Sequence, residues 1–183
     1  IKKFNKTIYV EGDKSISHRA LLIASQCIGI SSIKGILESE DIQNTIHCLR
    51  SLGVKILKRN KNYFVYGNGL GSFRKPLKKT LNCGNAGTLV RLISGLCTTS
   101  NFKTKLIGDS SLNKRPMKRI IDPLSKIGCN FYPKNKTTLP LTIEGTAMPL
   151  AQEHLEKIGS AQVKSAILFA ALNTPGITRI KID

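Results

Sequence analysis

Four short stretches carry side chains suited to holding an anion. Gly12-Asp13-Lys14-Ser15-Ile16-Ser17-His18-Arg19 sets a glycine turn, a lysine, hydroxyls and an arginine side by side. Asn85-Ala86-Gly87-Thr88 is the second stretch, and Ser160-Ala161-Gln162 is another. Between them stand the four cations Lys114, Arg115, Lys118 and Arg119. Each stretch falls where a helix is expected to begin. Backbone N–H groups are free there and the helix dipole is positive, which is an anion site in outline. Plainer roles exist for each piece: N-caps for Ser15 and Ser160, a capped turn at Asn85, a surface or packed place for His18. The Lys14-Ser15 pair is no Walker A motif, because GxxxxGK[ST] is absent. Gly87 leaves the backbone open to close approach by a ligand. Arg115 sits badly as a solvated cation at a positive helix end, and better against a phosphate or carboxylate.

The elements that must position these residues repeat along the chain. Arg19, Arg91 and Lys164 stand 72 and 73 residues apart, each one turn inside an expected helix. After a strand-like run at 7–10, the first unit reads as a helix at 15–27, a strand at 31–36, a helix capped at Ser39-Glu40-Asp41 and ending at Gly53, and strands at 54–57 and 63–66. Ile42, Ile46, Leu49 and Leu52 give its second helix the 3.6 period, and Gly53 a C-terminal glycine. The second unit repeats this from Asn85. It has a strand at 102–107, a helix from Arg115-Pro116 to Gly128, and strands at 129–132 and 139–144. In the third, a helix at 163–172 and a strand at 177–182 lead to Asp183, so the unit is expected to be incomplete. The fold class is α/β (α+β), built of βαβαββ units, two complete and one truncated. If the units pack around a pseudo-symmetry axis, the three helix starts point at one anionic ligand.

Composition narrows the classes. The 183 residues carry a formal charge of +18, with 40% hydrophobic residues. Much of the charge lies in loops such as Lys58-Arg59-Asn60-Lys61. The rest suits either nucleic acid or steering of small polyanions. Aromatic residues make up 5%, too few for a base-stacking platform. No run reaches the ~18 apolar residues of a membrane span. The five cysteines, Cys27, Cys48, Cys83, Cys97 and Cys129, show no CxxC spacing and read as free thiols in a reducing cytoplasm, with Cys83 the one candidate for reactivity. The expectations are therefore no metal, no nucleic acid and no membrane.

GDKSISHRA, NAGTLVRL, RPMKRIIDPL and SAQVKSAILFA, in this order, resemble the 5-enolpyruvylshikimate-3-phosphate (EPSP) synthase family of enolpyruvyl transferases, in its class II bacterial spelling. The likeness runs from Val10 to about Ala171. It implies an inside-out α/β barrel of two domains, transfer of the enolpyruvyl group of phosphoenolpyruvate to the 5-hydroxyl of 3-phosphoshikimate, no cofactor, a cytoplasmic location, and a monomer when complete. It also implies roles. Lys14 contacts both substrates and is the catalytic cation of this chain. Ser15, Arg19, Ser160, Ala161 and Gln162 hold 3-phosphoshikimate. Asn85, Gly87, Thr88, Arg115 and Gln162 hold phosphoenolpyruvate. Arg91 and Lys164 support neighbouring loops. Residues 1–12 are expected to belong to the second domain. Residues 13–183 form the first, in units of about 13–71, 80–145 and 150–183. The family's acid/base carboxylates and a further serine for the shikimate phosphate belong beyond Asp183, so the chain alone is expected to be inactive. The herbicide glyphosate takes the phosphoenolpyruvate pocket in this family, and Gly87 leaves room for it. Two alternatives are a UDP-N-acetylglucosamine enolpyruvyl transferase and a basic nucleic-acid-binding protein. The first has lysine-asparagine where Lys14-Ser15 stands and a loop cysteine that is absent near Arg115.

Overall fold

A computed structural model describes residues 5–182. The expected repeat is present. In the first unit α1 (Lys14–Gln26) leads to β1 (Ile28–Lys34), α2 (Glu40–Ser51), β2 (Lys55–Arg59) and β3 (Asn62–Asn68). The second adds a strand at its start: β4 (Thr80–Asn82), α3 (Gly87–Cys97), β5 (Lys103–Ile107), α4 (Lys118–Ser125), β6 (Asn130–Tyr132) and β7 (Leu141–Glu144). The third runs β8 (Glu153–Glu156), α5 (Ala161–Ala171) and β9 (Arg179–Ile182). Sheet order shows the equivalence. The order β1-β3-β2 of the first sheet recurs as β5-β7-β6 in the second, with β4 added parallel to β5. The third sheet pairs β8 with β9, again in parallel.

Three expectations need correction. The run at 7–10 forms no strand: Tyr9 is 92% exposed and Val10 88%, and neither is paired into a sheet. Residues 1–4 and 183 of the expected domain ranges lie outside the described residues. Secondly, Arg115 and Pro116 precede α4 instead of opening it. Proline disfavours helical geometry in the residue before it, and Arg115 is extended at φ −74°, ψ 136°. Thirdly, α2 starts after Ser39 as expected, but the Ser39 hydroxyl makes no capping bond and is buried without a partner.

The core sits around α3. Leu89, Val90, Leu92, Ile93 and Leu96 are all at most 1% exposed, so this helix lies inside, with only Thr88 and Arg91 escaping burial on the side of the site. Each such side chain contributes roughly 1.5–3 kcal/mol when fully buried. Helix α3 packs on α5 with α1, α2 and α4 around it. At the α3–α5 crossing a Cβ on Gly95 would lie 2.1 Å from the Ala166 carbonyl oxygen. That neighbour is backbone and cannot swing away. Gly95→Ala is therefore expected to destabilise the chain by about 1–3 kcal/mol or more, read as a lower urea midpoint.

His18 is packed, fully buried between α1 and α2, with Nδ1 2.7 Å from the Thr45 hydroxyl. Burial lowers its pKa to about 4; Lys14 and Arg19 add to the shift, and Asp41 opposes it. The folded state thus resists a proton that the unfolded chain accepts near pH 6.5. Stability from this group is complete above pH 6.5 and is lost as pH falls toward 4, by up to about 3 kcal/mol. Urea midpoints measured from pH 7 to pH 5 should fall, and His18→Asn should flatten that part of the curve.

Candidate active site

Helix starts position the site. Asp13 caps α1: its carboxylate accepts the Ile16 N–H at 2.7 Å. Ser15 is therefore not the cap, and its side chain stays exposed. Ser160 does cap α5, accepting the Val163 N–H at 3.4 Å. Ala86 precedes α3 without any side-chain cap, and the Gly87 N–H donates to the Asn85 carbonyl at 3.0 Å. The loop carrying Arg115 is held at both ends. The Gly108 N–H donates to Asn113 Oδ1 at 3.1 Å, and the Leu112 N–H to Asp109 Oδ1 at 2.7 Å. The Asp109 N–H donates to the Gly84 carbonyl at 2.9 Å, which ties this loop to the turn before α3.

These starts share an open cavity of about 300 Å³, lined by Lys14, Asp41, Asn85, Gly87, Thr88, Arg91, Arg115 and Gln162. A smaller cavity of about 150 Å³ also takes in Arg91 and Gln162, together with Arg119 and Ser160. Hydrogen bonds lock the wall between them. Gln162 donates from Nε2 to the Thr88 hydroxyl at 3.0 Å and accepts from Arg91 Nη1 at 3.0 Å. Arg91 also reaches the Gly87 carbonyl at 3.2 Å. Arg115 donates to Asn85 Oδ1. A Cβ on Gly87 would lie 2.9 Å from Arg115 Nη1 and 3.0 Å from Arg91 Nη1, so the absent side chain makes room for two guanidiniums.

Charge in the larger cavity is mostly uncompensated. Its one acid is Asp41, 2.9 Å from Lys14 Nζ. Among the described residues, Arg91 and Arg115 donate to neutral oxygens. Burial, and then the cations Arg115 and Arg119, depress the Arg91 pKa. Such a cluster favours a ligand with negative charge and several acceptor oxygens.

Of the residues singled out in the sequence, Lys14, Asn85, Gly87, Thr88, Arg115 and Gln162 line the larger cavity and Ser160 the smaller. Ser15, Arg19 and Ala161 line neither. Arg19 instead ties α1 to α5, donating from Nη2 to the Ser165 hydroxyl at 3.0 Å and from Nη1 to the Ser15 carbonyl at 3.1 Å. Sequence reading took Asp41 only as part of a helix start. Its pairing with Lys14 depends on α1 and α2 lying side by side, which no local pattern shows.

A family model described as EPSP synthase (3-phosphoshikimate 1-carboxyvinyltransferase) matches residues 1–182. The chain belongs to the EPSP synthase family. It is 44% identical over 174 residues to the 3-phosphoshikimate 1-carboxyvinyltransferase of Zymomonas mobilis, covering 94% of this chain and 38% of that protein. It is 45% identical over 168 residues to the enzyme of the same name from Oenococcus oeni, covering 92% and 38%. EPSP synthase from Acinetobacter baumannii superposes with a TM-score of 0.88 at 36% identity, over 94% of this chain and 39% of that structure. The chain thus spans less than two-fifths of the length of these relatives. Its repeating units, βαβαββ in full in the second, have the EPSP synthase fold. Among the described residues no helix is long and apolar enough to cross a membrane.

Cys83 is not the reactive thiol that its place near the second motif suggested. It is fully buried, and the neighbouring Cys48 together with burial pushes its pKa well up. Burial also raises Cys97 and Cys129 to about 12. Cys27 is the exposed thiol. Under native conditions a maleimide is expected to label Cys27 first, with Cys83 modified only after denaturation, as read by peptide mass spectrometry.

Proposed function

We propose that this chain forms the anion-gripping part of a 3-phosphoshikimate 1-carboxyvinyltransferase. The observation that carries the reading is the cavity where Lys14, Arg91 and Arg115 converge with the α3 start and only Asp41 opposes them. Both substrates are anions with a phosphate and a carboxylate. The 5-hydroxyl of 3-phosphoshikimate attacks C2 of phosphoenolpyruvate as C3 gains a proton. The tetrahedral intermediate then loses phosphate by C–O cleavage and a proton from C3. Charge shifts onto oxygens along this path, and fixed cations and backbone N–H groups stabilise it without reorganising.

Lys14 faces both substrates and offsets charge at the reacting centre. Arg115 grips phosphoenolpyruvate, with Asn85, Gly87 and Thr88 lining its pocket. Gln162 stands between the substrates, since its amide already bridges Thr88 and Arg91. Ser15, Arg19, Ser160 and the Ala161 N–H hold 3-phosphoshikimate. For Ser160 this role is supported by the adjoining cavity. For Arg19 it requires the guanidinium to keep Ser165 and engage the ligand with its remaining N–H groups. Residues 13–183 serve as one domain and residues 1–12 as part of a second, which supplies the acid/base carboxylates. The exposed run 7–10 accords with a segment that packs elsewhere. The working enzyme in this reading is a cytoplasmic monomer.

The test is phosphate release by the full-length enzyme carrying these residues, given both substrates. No turnover would sink the reading. Arg115→Gln removes a charge-assisted bond worth about 1.5–3 kcal/mol. It should raise KM for phosphoenolpyruvate roughly 10- to 100-fold and that for 3-phosphoshikimate far less. Gly87→Ala should displace both guanidiniums and raise the inhibition constant of glyphosate.

A further inference from the structure

Two rungs join α1 to α2. The outer rung is ionic: Lys14 Nζ to Asp41 Oδ2 at 2.9 Å, with the lysine side chain 52% exposed. One turn deeper is a neutral rung, His18 Nδ1 to Thr45 Oγ1 at 2.7 Å, with both residues fully buried. Lys14 and His18 are four apart on one helix, and Asp41 and Thr45 four apart on the other. Each rung therefore spans the same 27 residues of sequence. We propose that His18 is a positioning residue that fixes Lys14 at the reacting centre by way of Thr45 and Asp41. This rests on the reading of Lys14 given above.

One assignment of the hydrogen-bond directions lets Thr45 serve both of its contacts. The Thr45 hydroxyl donates to the Asp41 carbonyl at 3.2 Å, which leaves its lone pair for an Nδ1–H of His18. In this assignment His18 is the Nδ1–H tautomer. Its Nε2 is then a bare lone pair, buried with no partner among the described residues. An apolar side chain would fill this place without that orphan. What the imidazole adds is one directed bond from α1 to the second turn of α2. That bond fixes the two helix starts in register, so that the Asp41 carboxylate meets a flexible four-carbon lysine at one point. Helix packing alone leaves Lys14 free to swing among its rotamers.

Three measurements test this. In the full-length enzyme, His18→Phe should lower kcat roughly tenfold with both KM values within about twofold, a change in the range of coupling between neighbouring groups. His18→Asn keeps a donor near the Nδ1 position and should restore most of the loss. In an Asp41→Asn background, His18→Phe should then add less than about twofold. Independent, multiplying effects would overturn the proposal. Thr45→Val removes the same bond at nearly constant volume and replaces His18→Phe should that variant fail to fold. The second measurement needs no turnover. Acetylation of Lys14 by acetic anhydride, resolved by peptide mass spectrometry, should speed up in His18→Phe or Thr45→Val but not in His18→Asn. An unchanged Lys14 rate would refute the rungs. Thirdly, imidazole ¹⁵N NMR should show the Nδ1–H tautomer of His18, and an Nε2–H tautomer would do the same damage. An inactive wild-type protein that still passes the last two measurements would sink the assignment of Lys14 to catalysis and leave its positioning by His18 standing.

Discussion

The close crossing of α3 and α5 is the contact on which the site depends. Gly95 has no side chain, so the helix backbone meets the Ala166 carbonyl directly. Helix α3 is buried except at Thr88 and Arg91, so it is central and the others arrange themselves around it. The crossing brings the two helix starts close enough for Gln162 of α5 to bond Thr88 and Arg91 of α3. Core packing and ligand geometry are therefore one problem here. A change deep in the crossing would move the cavity wall.

Acid placement sharpens the electrostatics. Acids away from the site neutralise lysines at the surface: Glu38 with Lys58, Glu144 with Lys103, and Glu153 with Lys181. Glu156 is buried, 3.7 Å from Arg119 Nη2. Burial works to raise its pKa, yet the Ile158 and Ser160 N–H groups and His154 bring the net shift below the ordinary value. It thus serves the turn that leads into α5. Asp41 alone remains to face the larger cavity, and it is taken up by Lys14. A formal charge of +18 says little by itself. Its meaning comes from the guanidiniums left with neutral partners, because those are the charges a bound anion answers.

Much of this was legible in the sequence because the repeat makes weak motifs corroborate one another. Glycines at the helix ends and the 3.6 spacing of Ile42, Ile46 and Leu49 placed α2 within a residue or two. The βαβαββ order and most of the larger cavity followed from the motifs and the resemblance they carry. What escaped has physical reasons. Strand β4 has three residues and β8 four, too short for alternation to register. The β-branched run at 7–10 has strand propensity, but propensity makes no sheet without a neighbour. Arg115 was placed in a helix because Pro116 suits a first turn; the restriction that proline puts on the residue before it decided otherwise. The joining of Asp41, Thr45 and His18 across two helices is tertiary, and no local periodicity encodes it.

The repeat also explains how a symmetric scaffold becomes an asymmetric site. Arg19 and Arg91 each bond the carbonyl four residues back in their own helix, and each also reaches α5. At the matching place α5 has Lys164, and its neighbour Ser165 receives Arg19. Helix α5 is thus the common partner of the other two, not a third equal. Gln162 shows why its start departs from theirs. The position must accept from Arg91 and donate to Thr88 at once, which an amide does with its two ends. A glutamate would lose the donor and neutralise the arginine; a lysine would lose the acceptor and crowd it. The amide holds the wall between two adjoining cavities without spending any positive charge, and so leaves that charge for the ligands on either side.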